Sequence, residues 1–158
     1  MTEDKKKSFT LRISQANKSE MIVILYEMLS EYVEDAKNAI DCGDRINIRE
    51  NIRSARKCLE ELIGSINFEY EPAGALMRLY MYVNRELLKA ERCKDRECLD
   101  HVMKVIVPLT NAYKEVAAGD DSGPVMENTQ TVVAGLTYGP GSISEDMTDS
   151  GGSRGFYV

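Results

Sequence analysis

The sequence predicts an all-α protein, an antiparallel four-helix bundle with a short N-terminal segment and a flexible C-terminal tail. Apolar residues recur at spacings of three and four in four successive stretches, which is typical of helices that share a core. Eight of the eleven glycines follow Ala118, whereas helix-forming residues dominate before it. The predicted organisation is therefore a bundle domain over residues 1–118 and a disordered tail rich in Gly, Ser and Asp over residues 119–158.

The first predicted helix begins near Asn17 and ends before Gly43. Asn17 and Glu20 have the spacing of a capping box, although Ser19 is an alternative cap. Gly43 in "DCGD" can adopt the left-handed conformation that ends a helix. Between these limits the apolar residues form two adjacent stripes. We assign the first stripe to the core: Met21, Leu25, Met28, Tyr32 and Ala36.

The other three helices each show one clear core stripe. The second is the most regular, with Ile48, Ile52, Ala55, Leu59, Leu62 and Ile66. Pro72 suits the first turn of the third, whose core stripe is Leu76, Tyr80, Val83, Leu87 and Ala90. The fourth contains Leu99, Val102, Ile106, Leu109, Tyr113 and Val116, and Pro108 should kink it or remove one hydrogen bond.

A second apolar stripe on the first and third helices exceeds what one core face needs. One explanation is that a bundle helix contacts two neighbours. The alternative is a groove for a helix of a partner, which the frequent Met and Tyr side chains favour. The groove candidates are Ile22, Tyr26, Leu29, Val33, Met77, Tyr80, Met81 and Leu88.

Charge and motif content exclude several classes of function. The net charge of −6 offers no excess of positive charge for nucleic acid. No apolar run is long enough to span a membrane, and the charged start does not resemble a signal peptide. The four cysteines lack metal or redox spacing and are expected to be reduced thiols. We expect no enzymatic activity, no metal and no cofactor.

Five basic residues of the second helix lie mostly off its core stripe and indicate either a solvated face or an anionic site: Arg45, Arg49, Arg53, Arg56 and Lys57.

Three segments together resemble the flagellar secretion chaperone family FliS: "ISQANKSEMIVILYEMLSEYVEDAKNAI", "LEELIGSINFE" and "LMRLYMYVNRELLKA". The resemblance covers about residues 9 to 117. Tyr113 stands where the family often has Trp, and Phe9 where it has Tyr.

The resemblance implies a cytosolic export chaperone. It would bind the C-terminal segment of flagellin, prevent premature polymerisation and present its client to a flagellar export-gate protein. We expect a monomer or weak homodimer that neither binds nucleic acid nor inserts into membranes. One alternative is a bundle adaptor for another helical client. Another is a histidine phosphotransfer domain that uses His101, although the large Val105 crowds that motif.

Overall fold

A computed structural model describes residues 2–69 and 71–126, and this part of the chain forms five α-helices. Helix α1 spans Glu3–Gln15 and precedes the bundle. The bundle helices are α2 (Lys18–Asp41), α3 (Arg45–Gly64), α4 (Ala73–Cys93) and α5 (Arg96–Ala118). The predicted all-α bundle is confirmed, and its four predicted helices correspond to α2–α5.

The four bundle helices occupy the corners of a square. Helix α2 packs on α3 and α5, and α4 packs on the same two helices from the opposite corner. The α2–α3 interface is the most extensive of the four and the α3–α4 interface is the least extensive. Helix α1 lies outside the square against α2 and contributes no buried side chain.

Local sequence signals explain where the helices begin and end. Asn17 and Glu20 form the predicted capping box, since each side chain accepts a hydrogen bond from the backbone N–H of the other, at 2.8 and 2.9 Å. Gly43 has a φ of 70° after α2, as its position predicted. Asp44 and Asp95 cap α3 and α5. Pro108 is exposed within α5, which stays helical through Ala118.

The core stripes of α3, α4 and α5 largely agree with the prediction. On α3, the first five predicted residues are buried, whereas Ile66 follows the end of the helix. On α4, all but the half-buried Leu76 are buried. On α5 the stripe is buried through Ile106, whereas Leu109 and Tyr113 are half-buried and Val116 is exposed.

The core assignment on α2 was right for Ala36, which is fully buried, and wrong for the other four residues. The stripe assigned to the core is only half-buried at Met21, Leu25, Met28 and Tyr32, whereas Tyr26, Leu29 and Val33 are fully buried. Because α2 contacts both α3 and α5, its wide apolar arc is needed inside the bundle itself. The two-neighbour explanation therefore holds for α2.

The residues after α5 return to the beginning of α2. Asn17 Nδ2 donates a hydrogen bond to the backbone oxygen of Asp120 at 3.0 Å, and Ser19 Oγ donates to its carboxylate at 2.5 Å. The N–H of Val125 donates to the carbonyl of Ala16 at 3.0 Å. These bonds hold residues 120–125 against the α1–α2 junction. The remainder of the predicted tail, 127–158, lies outside the described residues.

Candidate functional site

The structure divides the eight predicted groove residues into four that are buried, one that is half-buried on α2, and three that lie together on α4. Tyr26, Leu29 and Val33 are 0 % exposed and Tyr80 is 1 % exposed, so these four present no free surface. The helical spacing in the sequence showed which residues share a helix face. It could not show which of these faces pack against other helices of the same bundle. Ile22 is half-buried against the core. The remaining three, Met77, Met81 and Leu88, lie together on α4.

Tyr26 and Tyr80 form a polar contact at the centre of the core. Their hydroxyl groups are hydrogen-bonded to each other, and the ring of Tyr113 lies 5.4 Å from that of Tyr26. Burial raises the pKa of the Tyr80 phenol to about 12 and also raises the pKa of Tyr26, where the bond to Tyr80 contributes as well. Both phenols therefore remain neutral at physiological pH, and their role is structural.

Three apolar residues and one asparagine form a strip on α4, hereafter the α4 strip: Met77, Met81, Asn84 and Leu88. Steps of four, three and four place them on one face of the helix. Met81 is 53 % and Leu88 is 42 % exposed, whereas Met77 and Asn84 are half-buried. This surface combines flexible thioether and leucine side chains in a line long enough for a short helix to cover.

Two contacts fix the orientation of the α4 strip toward α3. Arg56 Nε of α3 donates a hydrogen bond to Asn84 Oδ1 at 2.9 Å, in the middle of the strip. One turn beyond Leu88, Glu91 of α4 forms an ion pair with Arg49 of α3 at 3.5 Å. The strip is therefore one wall of a groove between α3 and α4, the least extensive helix interface of the bundle.

The opposite wall of this groove is basic. Arg45, Arg49, Arg53 and Arg56 follow steps of four, four and three along α3, which places them on the edge that faces α4. At one end is a cavity of about 500 Å³, lined by four basic residues, one acidic residue and two apolar ones: Arg45, Arg49, Arg92, Lys94, Glu91, Ile48 and Leu88. The spacing of these arginines was visible in the sequence, but the identity of the helix that they face was not.

A second surface groove runs beneath α1. Phe9 and Arg12 of α1 border it together with Glu27 of α2 and Met103 and Val107 of α5. Two ion pairs hold α1 in place here, Lys5–Glu31 at 2.5 Å and Arg12–Glu27 at 2.7 Å. Lys114 of α5 also binds Glu27, at 2.8 Å, and these two cations lower the pKa of the Glu27 carboxyl despite its partial burial.

The described residues offer little support for catalysis at His101. Its Nδ1 lies 3.3 Å from Glu86 Oε2 and its Nε2 lies 3.9 Å from Glu97 Oε1, so carboxylates flank both ring nitrogens. Such a surrounding repels a phosphoryl group and disfavours the phosphotransfer alternative. Within residues 2–69 and 71–126, His, Cys, Asp and Glu side chains form no group of three or more that could hold a metal ion.

The four cysteine thiols differ in their burial. All four cysteines are free; Cys58 and Cys98 are buried, whereas Cys42 and Cys93 are exposed. Burial raises the pKa of the Cys58 thiol to about 11, which keeps it protonated. In the part of the chain that the structure describes, every helix is too short or too polar to cross a bilayer.

Comparison with known proteins places this arrangement in one family. The family described as "Flagellar protein FliS" matches residues 1–120. The chain is also 24 % identical over 103 residues to the flagellar secretion chaperone FliS of Bacillus subtilis (strain 168), an alignment that covers 65 % of this chain and 77 % of that protein. The family match includes α1 and all four bundle helices, and it extends over most of the chain. The chain therefore belongs to the flagellar secretion chaperone FliS family.

Proposed function

We propose that this protein binds the C-terminal segment of flagellin in the cytosol, prevents its premature polymerisation and delivers it to the flagellar export apparatus. Family membership supports the flagellar chaperone role. The observation that carries the proposal on this chain is the α4 strip, which places the half-buried Met77 and the exposed Met81 and Leu88 on one helix face. Other large apolar side chains are exposed on the bundle helices as well, among them Ile46, Val107 and Val116. A chaperone needs such a free apolar surface because it must cover the apolar side chains of its client.

The chemistry of the α4 strip suits a client that is bound and later released. An amphipathic segment can bury its apolar residues against Met77, Met81 and Leu88 in the manner of a helix in a groove. If the segment is disordered when free, part of the interaction free energy is lost in ordering it. The net affinity is then modest for the area covered, which permits transfer to an export-gate protein.

Calorimetry with the flagellin of the same organism tests the proposal. The intact flagellin should bind near one-to-one, and a flagellin that lacks its C-terminal segment of about 40 residues should show no heat of binding. The isolated segment should reproduce the affinity of the intact protein. Equal binding of the truncated flagellin would show that the recognised segment lies elsewhere.

The α4 strip could alternatively form the interface of a homodimer. Two copies could cover each other's α4 strips, because exposed apolar surface favours self-association. Light scattering of the free protein and of its mixture with the flagellin segment separates these cases. We expect a monomer or weak dimer that becomes a one-to-one complex, whereas a tight dimer that excludes the segment would contradict the proposed function.

A further inference from the structure

The charged side chains are distributed unevenly among the helices, although the charges of residues 1–118 nearly cancel. Helix α2 carries two basic and six acidic side chains. By contrast, α3 carries five basic and three acidic side chains, and α4 carries four basic and two acidic ones. Helix α1 also carries four basic and two acidic side chains, but three of its four cations, Lys5, Lys6 and Arg12, are in ion pairs. Within the four-helix bundle, the excess positive charge is therefore concentrated on α3 and α4, the two helices that form the groove with the α4 strip.

Ion pairing increases this contrast. The basic residues that are paired with carboxylates elsewhere are Lys5, Lys6, Lys37, Arg12, Arg96 and Lys114. On the groove, Glu91 pairs only with Arg49, at 3.5 Å, and the side chain of that arginine stays 79 % exposed. Among the described residues, no carboxylate lies within ion-pair distance of Arg45, Arg53 or Arg92.

The charges and the apolar strip lie parallel to each other along the groove. The arginine edge of α3 runs beside the α4 strip, because Arg56 contacts Asn84 near its middle and Arg49 contacts Glu91 beyond its end. Arg92, one turn after Leu88, borders the outer side of the strip. An occupant that buries apolar side chains on α4 must therefore place its own α3-facing edge among free guanidinium groups.

We propose that the groove between α3 and α4 binds an amphipathic client helix that carries Asp or Glu side chains along its α3-facing edge. The apolar stripe of this helix covers Met77, Met81 and Leu88, while its carboxylates pair with Arg45 and Arg53 of α3. Carboxylates match the fork geometry of arginine, and complementary charges fix the register and orientation of a docked helix. This inference rests on the proposed function and specifies the chemistry that the flagellin segment must present.

Charge reversal on α3 tests the inference. The affinity of the flagellin C-terminal segment is measured by calorimetry for the wild type and for the Arg45→Glu/Arg53→Glu double variant. The matched control is Lys18→Glu/Lys104→Glu, which changes the net charge equally at exposed sites on α2 and α5. The groove variant should bind about tenfold more weakly and the control should stay within about twofold of the wild type. Both variants should keep the helical circular dichroism spectrum and melting temperature of the wild type, because all four side chains are exposed.

A charge-swapped segment provides the second arm. Replacing the acidic residues of the flagellin segment with Lys should weaken its binding to the wild type and restore binding to the Arg45→Glu/Arg53→Glu variant. Equal affinities of the wild type and the groove variant would contradict the inference while leaving the proposed function intact. If the folded wild type shows no binding to the flagellin segment, the proposed function fails, and the inference fails with it.

Discussion

Tyr26 and Tyr80 connect diagonally opposite helices at the centre of the bundle. Their hydroxyl groups satisfy each other where water has no access, since both side chains are at most 1 % exposed. Sequence periodicity placed Tyr80 both in the core stripe of α4 and among the groove candidates, whereas it assigned Tyr26 to the groove alone. A tyrosine on an apolar stripe fits either role, and only the position of the neighbouring helices distinguishes them.

Removing one of these hydroxyl groups should destabilise the bundle because the other is left buried without a partner. We expect Tyr26→Phe or Tyr80→Phe to lower the free energy of unfolding by about 1–3 kcal/mol. The double variant should lose clearly less than the sum of the two single losses. Urea unfolding of the three variants checks this, and strictly additive losses would show that the two hydroxyl groups do not depend on each other.

The same phenols predict a loss of stability in alkaline solution. Burial raises the pKa of Tyr80 to about 12, above its value of about 10 in an unfolded chain. The folded state therefore retains a proton that the unfolded state releases. This contribution to stability is complete below about pH 10 and is lost as the pH rises toward about 12.

Unfolding measured across this alkaline range should show a shallower decline for Tyr80→Phe than for the wild type. Identical slopes for the two proteins would assign the alkaline loss to other groups.

At the scale of the helix, some features could be predicted from the sequence and others could not. The capping box at Asn17 and the regular apolar spacing of α3 are local signals, and both were confirmed. The helical state of α1 was missed because its apolar residues are few, although Thr2 with Glu3 and Asp4 forms a recognisable helix start. The arginine edge of α3 was visible as a pattern, but its relation to α4 depends on the order of helices around the square.

Helix α1 should be the least stable helix of the five. It buries no side chain and is held on α2 by two ion pairs that stay partly exposed, Lys5–Glu31 and Arg12–Glu27. Exposed ion pairs contribute little stability and are screened by salt. Amide hydrogen exchange should therefore be faster in α1 than in α3, and the difference should grow between about 0.05 M and about 1 M NaCl.

The amides of α3 serve as the internal control, because its apolar contacts do not weaken with added salt. Protection of α1 that equals that of α3 and is insensitive to salt would show that apolar contacts hold the helix instead.

At the scale of the whole molecule, the chain closes on itself at the N-terminal end of α2. Hydrogen bonds from Asn17 and Ser19 to Asp120, and from Val125 to Ala16, join the residues after α5 to the α1–α2 junction. The glycine-rich composition after Ala118 indicated a domain boundary but did not predict that the residues after α5 contact the α1–α2 junction. Such contacts between distant parts of the chain depend on the assembled fold, so no local sequence pattern predicts them.

Two truncations should distinguish this closing segment from the remainder of the tail. Deleting residues 127–158 should leave the free energy of unfolding nearly unchanged, because the bonds around Asp120 are retained. Deleting residues 119–158 should cost about 1–3 kcal/mol more, since about three hydrogen bonds are lost. Thermal and urea unfolding of both forms check the difference. Equal stabilities would show that the closing segment contributes nothing to the fold.

One pair of substitutions on α4 tests most directly whether the α4 strip receives the C-terminal segment of flagellin, as we propose. Met81→Asp places a charge in the strip, whereas Leu79→Asp places the same charge at an exposed leucine outside the strip on the same helix. Calorimetry with the flagellin segment should show at least a tenfold loss of affinity for Met81→Asp and little change for Leu79→Asp, with both variants folded by circular dichroism. Unchanged binding by a folded Met81→Asp protein would contradict the account.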